Sequence, residues 1–329
     1  MQRYRRILVT GAAGMIGSHL ARRLLADGVQ VTAMVRPGGS RIRLQGLENR
    51  MEIRNVDMTD EAAVRKTVAQ ARPEVVFHLA STLWAGPRAA DATTHAKVNV
   101  LGSVYLLEAI REFTGSKIIF TGTAATYGSG SLLDEERRMT PNTIYGASKA
   151  AASIFIQTYG RLYGMSTVAL RLFMPYGPWE HPDRLIPSVI LAALEGRDIP
   201  MTLGTQQRDL VYVDDVVEAL VLAAVKPVSP GTVLNIGSGT GRPVREVVEQ
   251  LLALMGNPVK PLIGVVPMRP DEIMEMSADI TLARTSLGWE PRTPLAEGLS
   301  KTIAWVSEYR DLLSTLRARS PQTALAAAR

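Results

Sequence analysis

The sequence contains no cysteine and only four histidines among its 329 residues. The absence of cysteine excludes disulfide bonds, thiolate metal sites and a cysteine nucleophile. The histidines are scattered, and none has a second ligand at the spacing of a zinc motif. They are His19, His78, His95 and His181. We therefore expect no metal site.

Long apolar runs are also lacking, and the N-terminus has no apolar segment followed by a signal-peptide cleavage site. The net charge is +6, but the basic residues are spread along the chain and form no nucleic-acid-binding motif. These absences predict a cytoplasmic protein that binds neither a membrane nor nucleic acid. Some of the arginines instead fit an anionic small molecule that carries phosphates.

A glycine-rich loop, GAAGMIG, follows the first apolar run at 7–10. Its glycines are Gly11, Gly14 and Gly17. The apolar spacing after it predicts a helix over about 16–26. Strand, glycine loop and helix together form the context of a dinucleotide fingerprint, although the spacing is G-x-x-G-x-x-G rather than G-x-G-x-x-G. We therefore predict that this loop, with Met15 and Ile16, binds a pyrophosphate at the helix N-terminus.

The residue after the second predicted strand, 29–35, should lie beside the adenosine ribose. A carboxylate there binds the 2′-hydroxyl of NAD, whereas an arginine accommodates the 2′-phosphate of NADP. The sequence has Arg36 at this point and no acidic residue before Glu48. Because a carboxylate would repel the phosphate, we predict NADP as the cofactor, with NAD as the alternative. The other interpretation of Arg36 is a surface residue in a flexible loop.

Predicted strands and helices alternate through the first half of the chain. The strands are 51–54, 75–79, 117–121 and 166–171, and the helices are 60–70, 93–113 and one around Tyr145. This alternation predicts an α/β fold with a Rossmann-type, doubly wound parallel sheet. Ligands of such sheets lie at the carboxyl ends of the strands. Candidate cofactor contacts are therefore Asp57, Met58, Leu79, Ala80 and Ser81, and Thr82 is a candidate substrate contact.

Tyr145 and Lys149 are four residues apart in an alanine-rich segment that predicts a helix, so their side chains share one face. An ammonium group beside a phenol favours the phenolate and should lower the tyrosine pKa. Such a tyrosine can exchange a proton with a substrate hydroxyl or carbonyl. Thr123, just past the fifth predicted strand, can hydrogen-bond to the same oxygen. Taken alone, these residues also fit an incidental surface pair and a threonine that fills a turn.

Together the motifs resemble the extended short-chain dehydrogenase/reductase family, in its nucleotide-sugar epimerase, dehydratase and reductase branch. They extend from about residue 7 to about residue 305 and read GAAGMIG, VDMTD, VVFHLAS, KVNVLGSVYLLEA, FTGTAATYG, YGASK, RLFMPYGP, QQRDLVYVDD, LNIGSG, RPDE and SLGWEPRT. The resemblance implies that Tyr145 is the catalytic acid/base and that Thr123 is the third catalytic residue. It also implies that Lys149 binds the nicotinamide ribose and lowers the tyrosine pKa. Asp57 and Met58 would contact the adenine, and Asn99 would mainly support the structure.

The same resemblance divides the chain into two domains. An NADP-binding Rossmann domain covers 1–175 and includes returning pieces at about 207–237 and 277–288. A smaller, discontinuous C-terminal substrate domain consists of 176–206, 238–276 and 289–317, and 318–329 is expected to be a disordered tail. Candidate substrate contacts are Thr82, Thr123, Arg184, Arg208 and Arg269.

The partners expected from the resemblance are a nucleotide sugar and a second copy of the chain. Arg208 and Arg269 match arginines that bind the substrate diphosphate, and a guanidinium can bind phosphate oxygens through two hydrogen bonds. A lone arginine is more often a surface ion-pair partner. The homodimer would form through helices 93–113 and 143–163.

Two departures from the family pattern narrow the expected reaction. Dehydratases and decarboxylases of the family carry acidic residues directly after the catalytic threonine, where this chain has Ala124 and Ala125. Alanine has no proton to transfer, so neither reaction is expected. Met174 stands where epimerases usually present an asparagine to the substrate phosphates, so that contact is not carried over.

The residues favour an NADPH-dependent ketoreductase that delivers hydride to C4 of a nucleotide-linked 4-keto-6-deoxy sugar, with Tyr145 as the proton donor. The alternative is an NAD-dependent nucleotide-sugar 4-epimerase. A reductase of a non-nucleotide ketone has less need of phosphate-binding arginines. A non-catalytic NADP sensor typically lacks the tyrosine or the lysine, and both are present here.

Overall fold

The structure is a computed structural model that describes residues 1, 4–82, 91–112, 116–269 and 272–313. Its strands are β1 (Arg6–Thr10), β2 (Gln30–Val35), β3 (Glu52–Asn55), β4 (Val75–His78), β5 (Lys117–Thr123), β6 (Gly130–Leu133), β7 (Thr167–Leu172), β8 (Met174–Tyr176), β9 (Ile199–Met201), β10 (Gln207–Tyr212), β11 (Thr232–Ile236), β12 (Gly241–Pro243), β13 (Pro261–Ile263) and β14 (Met276–Ala278). Its helices are α1 (Met15–Ala26), α2 (Glu61–Ala71), α3 (Ala92–His95), α4 (Gly102–Arg111), α5 (Ile144–Tyr163), α6 (Leu185–Leu194), α7 (Val213–Val225), α8 (Val244–Leu254), α9 (Thr281–Leu287) and α10 (Leu295–Glu308). Short 3₁₀ turns are Ile42–Leu44, Glu48–Arg50 and Ala124–Thr126.

Seven parallel strands form the main sheet in the order β11-β7-β5-β4-β1-β2-β3. Every residue of β4 and β7 is buried, because helices cover both faces of the sheet. In β1, Ile7 and Val9 pack into one apolar core and Leu8 into another, as the two-residue period of a strand requires. The predicted Rossmann-type, doubly wound fold is confirmed.

The sheet reverses its winding direction at β1, which pairs with β2 on one side and with β4 on the other. Connections that leave neighbouring strand ends in opposite directions open a crevice at the carboxyl edge of the sheet. Thr10 and His78 are paired across this point. The glycine loop and residues 79–82 therefore emerge side by side.

A second apolar core lies among α6, α8, α10 and a small sheet of order β12-β10-β8. Strand β10 connects this core to the main one, since Leu210 and Tyr212 pack into the second core and Val211 into the first.

The predicted domain boundaries stay a prediction. The predicted tail at 318–329, with 314–317, lies outside the described residues. No helix in the described ranges is long and apolar enough to cross a bilayer.

The predicted helix at 93–113 differs from the structure in one respect. A π-helical segment, Ala96–Leu101, joins α3 to α4 in place of a continuous α-helix, and Phe113 lies outside the described residues. Such π segments often occur at functional sites. Helix α5 begins at a threonine cap, where the Thr143 hydroxyl accepts a hydrogen bond from the Gly146 amide at 3.0 Å. It ends at Gly164, whose φ of 64° is left-handed.

Candidate active site

Gly11 and Gly17 hold the glycine loop against the backbone of its neighbours. Gly11 has a left-handed φ of 69°, and a Cβ there would lie 2.7 Å from backbone atoms of Leu79 and Ala80. A Cβ on Gly17 would lie 2.3 Å from the Gly11 carbonyl oxygen. Side chains at these two positions would therefore displace the loop from the strand ends.

The N-terminus of α1 lies at the end of this loop. Gly14 is its N-cap, and the Gly14 amide donates to the Gly11 carbonyl at 2.9 Å. Met15 and Ile16 form the first turn of the helix, where backbone N–H groups and the helix dipole favour an anionic phosphate. The glycine cradle and the helix N-terminus together fit a dinucleotide pyrophosphate.

The end of β2 presents basic rather than acidic side chains. Arg36 is exposed and makes no ion pair within the described part of the chain. Arg41 donates to the Asn55 side-chain oxygen at 2.5 Å. The Asp57 carboxylate accepts hydrogen bonds from the amide and hydroxyl of Thr59 at 2.9 and 2.8 Å, so it caps its own turn.

Met58 packs against the start of α4. It is buried, and a Cβ added to Gly102 would lie 2.9 Å from the Met58 Cβ. The glycine at the start of α4 therefore allows that helix to approach the end of β3. This contact holds the residues that follow β3 next to the segment that carries Asn99.

A buried hydrogen-bond chain fixes the end of β4. The Thr10 hydroxyl lies 2.7 Å from His78 Nδ1 and accepts from the Ala80 amide at 3.0 Å. The Ser103 hydroxyl donates to the Asn99 carbonyl at 2.6 Å, so its oxygen accepts from His78 Nε2 at 2.9 Å. All these groups are satisfied when His78 is neutral. Burial lowers the pKa of His78 to about 3, which keeps it neutral.

The Asn99 side chain connects three elements of the site. Its Oδ1 accepts from the Thr82 amide at 2.9 Å and from the Ser81 hydroxyl at 3.1 Å. Its Nδ2 donates to the Ser148 hydroxyl at 2.8 Å. The residues that follow β4 are therefore bound to α5 one position before Lys149.

Tyr145 is the point at which the predicted catalytic residues meet. Its phenol lies next to the side chains of Thr123 and Ser81. Burial raises the pKa of Tyr145, while Thr123, the charge of Arg184 and Ser81 act in the opposite direction. Ser81 thus lies at the phenol, whereas the sequence predicted it only as a cofactor contact.

Lys149 does not act on Tyr145 in the way the sequence predicts. Its ammonium nitrogen lies 4.1 Å from the centre of the Phe120 ring, and burial lowers the pKa of Lys149 to about 7. The charge of Lys149 is not among the groups that act on Tyr145. The expected fall in the tyrosine pKa is therefore wrong for this structure. The reason is that burial disfavours both ions, the phenolate and the ammonium.

Thr123 ends β5 and begins the 3₁₀ turn that carries the two alanines. Its hydroxyl accepts from the Ala125 amide at 3.2 Å. The Ala125 carbonyl in turn packs on α5, since a Cβ on Gly146 would lie 2.5 Å from it. Ala124 is buried. This close packing places Thr123 beside Tyr145 and brings no carboxylate to the turn.

Arg184, whose charge acts on Tyr145, forms a pair with Glu180. Arg184 is the N-cap residue of α6, and its Nε lies 3.6 Å from Glu180 Oε1. The second carboxylate oxygen of Glu180 is buried and has no hydrogen-bond partner within the described ranges. Burial raises the pKa of Glu180 to about 7, against the opposing effect of Arg184. The sequence predicted Arg184 as a substrate contact but did not single out Glu180, which precedes it by four residues in the loop before α6.

Replacing Glu180 with glutamine should stabilise the protein more at pH 8 than at pH 5. The pKa in the folded state, about 7, lies above the ordinary value of 4.5, so the stability linked to the protonated acid is lost as pH rises through 7. Glutamine does not ionise, so the variant does not lose stability in this way as pH rises. Between pH 5 and pH 8 the difference in unfolding free energy should change by about 2–3 kcal/mol in favour of the variant.

Urea unfolding of both proteins at the two pH values measures this difference. The exposed Glu290→Gln variant is the control, because its carboxylate is 62% exposed and pairs only loosely with Arg284 at 3.8 Å. An equal effect of Glu180→Gln at pH 5 and pH 8 would show that Glu180 is ionised in the folded protein at both.

Arg208 and Arg269 meet at one carboxylate, that of Glu272. Arg208 is hydrogen-bonded to Glu272 Oε1 and donates to the Ile273 carbonyl at 2.6 Å. Arg269 donates to Glu272 Oε2 at 2.9 and 3.1 Å. The structure thus brings the two predicted diphosphate contacts together. Arg184, the third arginine predicted as a substrate contact, is the one whose charge acts on Tyr145. Pro270 and Asp271 of the RPDE motif lie outside the described residues.

A sequence model described as "NAD dependent epimerase/dehydratase family" matches residues 7–237. The chain belongs to this family. The UDP-glucose 4-epimerase of Mycolicibacterium smegmatis is 34% identical over 308 residues, which cover 91% of this chain and 97% of that protein. The dTDP-glucose 4,6-dehydratase of Neisseria meningitidis is 31% identical over 330 residues, which cover 92% and 93%.

Solved structures agree with this assignment of the family. The UDP-glucose 4-epimerase of Thermus thermophilus, in complex with NAD, superimposes with a TM-score of 0.83 at 30% identity, covering 92% of this chain and 99% of that one. The predicted resemblance to the extended short-chain dehydrogenase/reductase family is confirmed. This epimerase/dehydratase family member is an NAD(P)-dependent enzyme of the oxidoreductase type.

Proposed function

We propose that the protein is an NADPH-dependent ketoreductase that reduces C4 of a nucleotide-linked 4-keto-6-deoxy sugar. The observation that carries this proposal is the end of β2, where Arg36 is exposed and no acidic residue precedes Glu48. A positive charge there favours the 2′-phosphate of NADP, and a carboxylate would repel it. A reductase consumes its cofactor at each turnover and therefore draws on the NADPH pool.

The residues around Tyr145 suit carbonyl reduction. When bound, the nicotinamide supplies hydride to the carbonyl carbon. Tyr145 holds the proton that the carbonyl oxygen takes up, and its raised pKa keeps the phenol protonated at neutral pH. Thr123 and Ser81 lie beside the phenol, where their hydroxyl groups can hydrogen-bond to it. Lys149 follows Tyr145 by about one turn of α5, and burial lowers the pKa of Lys149 to about 7.

The second candidate is an NAD-dependent nucleotide-sugar 4-epimerase. The relatives favour it, since a UDP-glucose 4-epimerase is 34% identical and a second epimerase of the same fold binds NAD. In that reaction Tyr145 would first have to lose its own proton, which its raised pKa disfavours, before it could accept a proton from the C4 hydroxyl and later return it. The cofactor would end each turnover unchanged, so the two candidates differ in net cofactor consumption.

The substrate diphosphate is proposed to bind at Arg208 and Arg269. Both guanidinium groups already share the carboxylate of Glu272, which shows that this place holds two positive charges beside one anion. A diphosphate offers more oxygens to the same donors than a carboxylate does. It would therefore displace or rearrange the Glu272 contacts.

Location in the cytoplasm remains a prediction.

The test of the proposed function is a cofactor assay. The protein is mixed with NADPH and a nucleotide-linked 4-keto-6-deoxy sugar, and the absorbance of the reduced cofactor is followed. A stoichiometric loss of absorbance supports the reductase. No loss, together with C4 inversion of a UDP-hexose in the presence of NAD, supports the epimerase instead.

Replacing Arg36 with aspartate should reverse the cofactor preference. Removing the positive charge and adding a negative one beside the 2′-phosphate should lower kcat/KM with NADPH by about 10- to 100-fold, whereas NADH should be used equally well or better. Steady-state kinetics with both cofactors measure the ratio. The exposed Arg50→Asp variant serves as the charge-matched control and should keep the original preference. An unchanged ratio in Arg36→Asp would exclude Arg36 as a phosphate contact.

We propose a homodimer formed through the π-helical segment and α5. These elements expose large apolar side chains: Leu101, Ile154, Phe155, Leu162 and Tyr163. A face of this kind on neighbouring helices is typical of a protein–protein interface. Light scattering of Phe155→Glu should show a monomer, and the exposed apolar Leu282→Glu variant on α9 should remain a dimer. A monomeric unmodified protein would contradict the proposal.

A further inference from the structure

His95 is a buried imidazole beside the phenol of the candidate active site. It is the last residue of α3, has no accessible surface, and its ring centre lies 6.1 Å from that of Tyr145 at an angle of 59°. It also lies one helical turn before Asn99 and on the same side. The catalytic roles described above do not involve His95.

The hydrogen bonds around Asn99 fix which nitrogen of His95 carries the hydrogen. Asn99 Oδ1 is identified by the Thr82 amide, which can only donate, so the other end of the Asn99 side chain is the NH₂ group. This NH₂ group donates to the Ser148 hydroxyl at 2.8 Å, and it faces both the Thr82 carbonyl and His95 Nδ1 at 3.4 Å. Nδ1 is therefore the acceptor, and in the neutral ring Nε2 carries the hydrogen. Burial lowers the pKa of His95, which agrees with a neutral ring.

The resulting Nε2–H group is buried and has no acceptor among the residues that the structure describes. A buried donor without a partner destabilises the fold, so such groups are rare unless a ligand satisfies them. Here the unsatisfied donor belongs to a ring in contact with Tyr145. A hydrogen-bond acceptor on the substrate is the simplest partner for this donor.

We propose that His95 is a specificity-determining residue whose Nε2–H donates a hydrogen bond to the substrate hydroxyl next to the reacting carbon. This inference rests on the proposed reaction at C4 of a 6-deoxy sugar. Of the two ring neighbours of C4 in such a sugar, C5 carries the methyl group and C3 carries the hydroxyl. His95 therefore selects substrates that have an oxygen at C3.

The consequence is a strong preference for the hydroxylated sugar. A site that holds a buried donor for a substrate hydroxyl discriminates against an analogue without it, because the donor is then left unpaired. The C3 hydroxyl, as a neutral acceptor, also matches a neutral imidazole. Phenylalanine at this position would keep the ring beside Tyr145 and remove only the donor.

The test compares two substrates in two proteins by kcat/KM with the reduced cofactor. The substrates are a nucleotide-linked 4-keto-6-deoxy sugar and its 3-deoxy analogue, and the proteins are the unmodified enzyme and His95→Phe. The unmodified enzyme should prefer the 3-hydroxy sugar by about 100-fold. In His95→Phe the two substrates should differ by less than about threefold, mainly through loss of activity on the 3-hydroxy sugar.

Two results would overturn the inference. One is an unmodified enzyme that turns over both sugars equally well, which needs no variant and so does not depend on its folding. The other is a His95→Phe protein that loses the same factor on both sugars, as a purely structural role would give. His95→Gln, which keeps an N–H donor, should retain part of the preference. If neither sugar consumes cofactor with the unmodified enzyme, the proposed reaction itself is wrong.

Discussion

Replacing Tyr145 with phenylalanine should lower kcat by about 10²–10⁴ while the affinity for the cofactor stays unchanged. Thr123 and Ser81 lie beside the phenol, and burial raises its pKa, which keeps it protonated. Phenylalanine fills the same space but has no proton to give to the developing alkoxide. Lys149 lies against the Phe120 ring, so removal of the phenolic hydroxyl should leave the surroundings of the lysine intact.

Stopped-flow measurement of the reduced cofactor, combined with a fluorescence titration of its binding, separates the two effects. The control is Tyr309→Phe, which removes an exposed hydroxyl at the end of α10 and should change neither quantity. Turnover of Tyr145→Phe within about threefold of the unmodified enzyme would mean that another group supplies the proton.

Replacing Gly17 with alanine should weaken dinucleotide binding by about 10- to 100-fold or more, since overpacking typically costs about 1–3 kcal/mol and each 1.4 kcal/mol is tenfold. The added Cβ would lie 2.3 Å from the Gly11 carbonyl oxygen and 2.8 Å from the Ala12 Cα. Both are backbone atoms that have no rotamer to change. The loop must therefore move away from α1, and the N–H groups at the helix N-terminus lose their position.

Isothermal titration with NADPH and with NAD measures the loss of affinity for both dinucleotides. Gly28→Ala provides a matched control. Gly28 lies just beyond the other end of α1 with a left-handed φ of 76°, and a Cβ there would meet no atom within 4 Å. It should lower the unfolding temperature but leave the dissociation constant unchanged. Equal affinities of Gly17→Ala and the unmodified protein would remove the glycine loop from the cofactor site.

The fold followed from patterns that depend on local chemistry. Buried apolar strands alternating with helices predicted the parallel sheet, and the glycine loop predicted the first βα turn, where Gly11 and Gly17 do have no room for a side chain. Thr123 was singled out as the residue just past the fifth predicted strand and Tyr145 by its four-residue spacing from Lys149. The structure brings Thr123 and Tyr145 together, and their catalytic roles stay a prediction. These features need only short-range spacing and the geometry of a doubly wound sheet.

Other features depend on packing between distant segments. The direction of the Tyr145 pKa was wrong because the sequence gives the spacing of the lysine but not the burial of both groups. Glu180 lies only four residues before Arg184, but it is in a loop, and neither its pairing with Arg184 nor its burial could be read from the sequence. His95 is four residues before Asn99, yet its contact with Tyr145 arises from the approach of α3 to α5.

The two candidate reactions use the same proton-transfer residues, so the geometry at Tyr145 suits both. Ala124 and Ala125 leave the turn after β5 without a carboxylate, which fits both reactions and opposes dehydration. The difference lies in the adenosine end of the crevice. Arg36 favours a phosphorylated cofactor, whereas the Thermus thermophilus epimerase was solved with NAD. The two candidates can therefore be distinguished by whether hydride is transferred from the cofactor to the sugar with net consumption of the cofactor.

The most direct test of the proposed reductase uses NADPH with both hydrogens at C4 of the nicotinamide replaced by deuterium. The protein is incubated with a nucleotide-linked 4-keto-6-deoxy sugar, and the product is analysed by NMR and mass spectrometry. The proposal predicts one deuterium at sugar C4 for each NADPH oxidised. Unchanged NADPH and a sugar without deuterium, together with C4 inversion of a UDP-hexose by the same preparation in the presence of NAD, would contradict it.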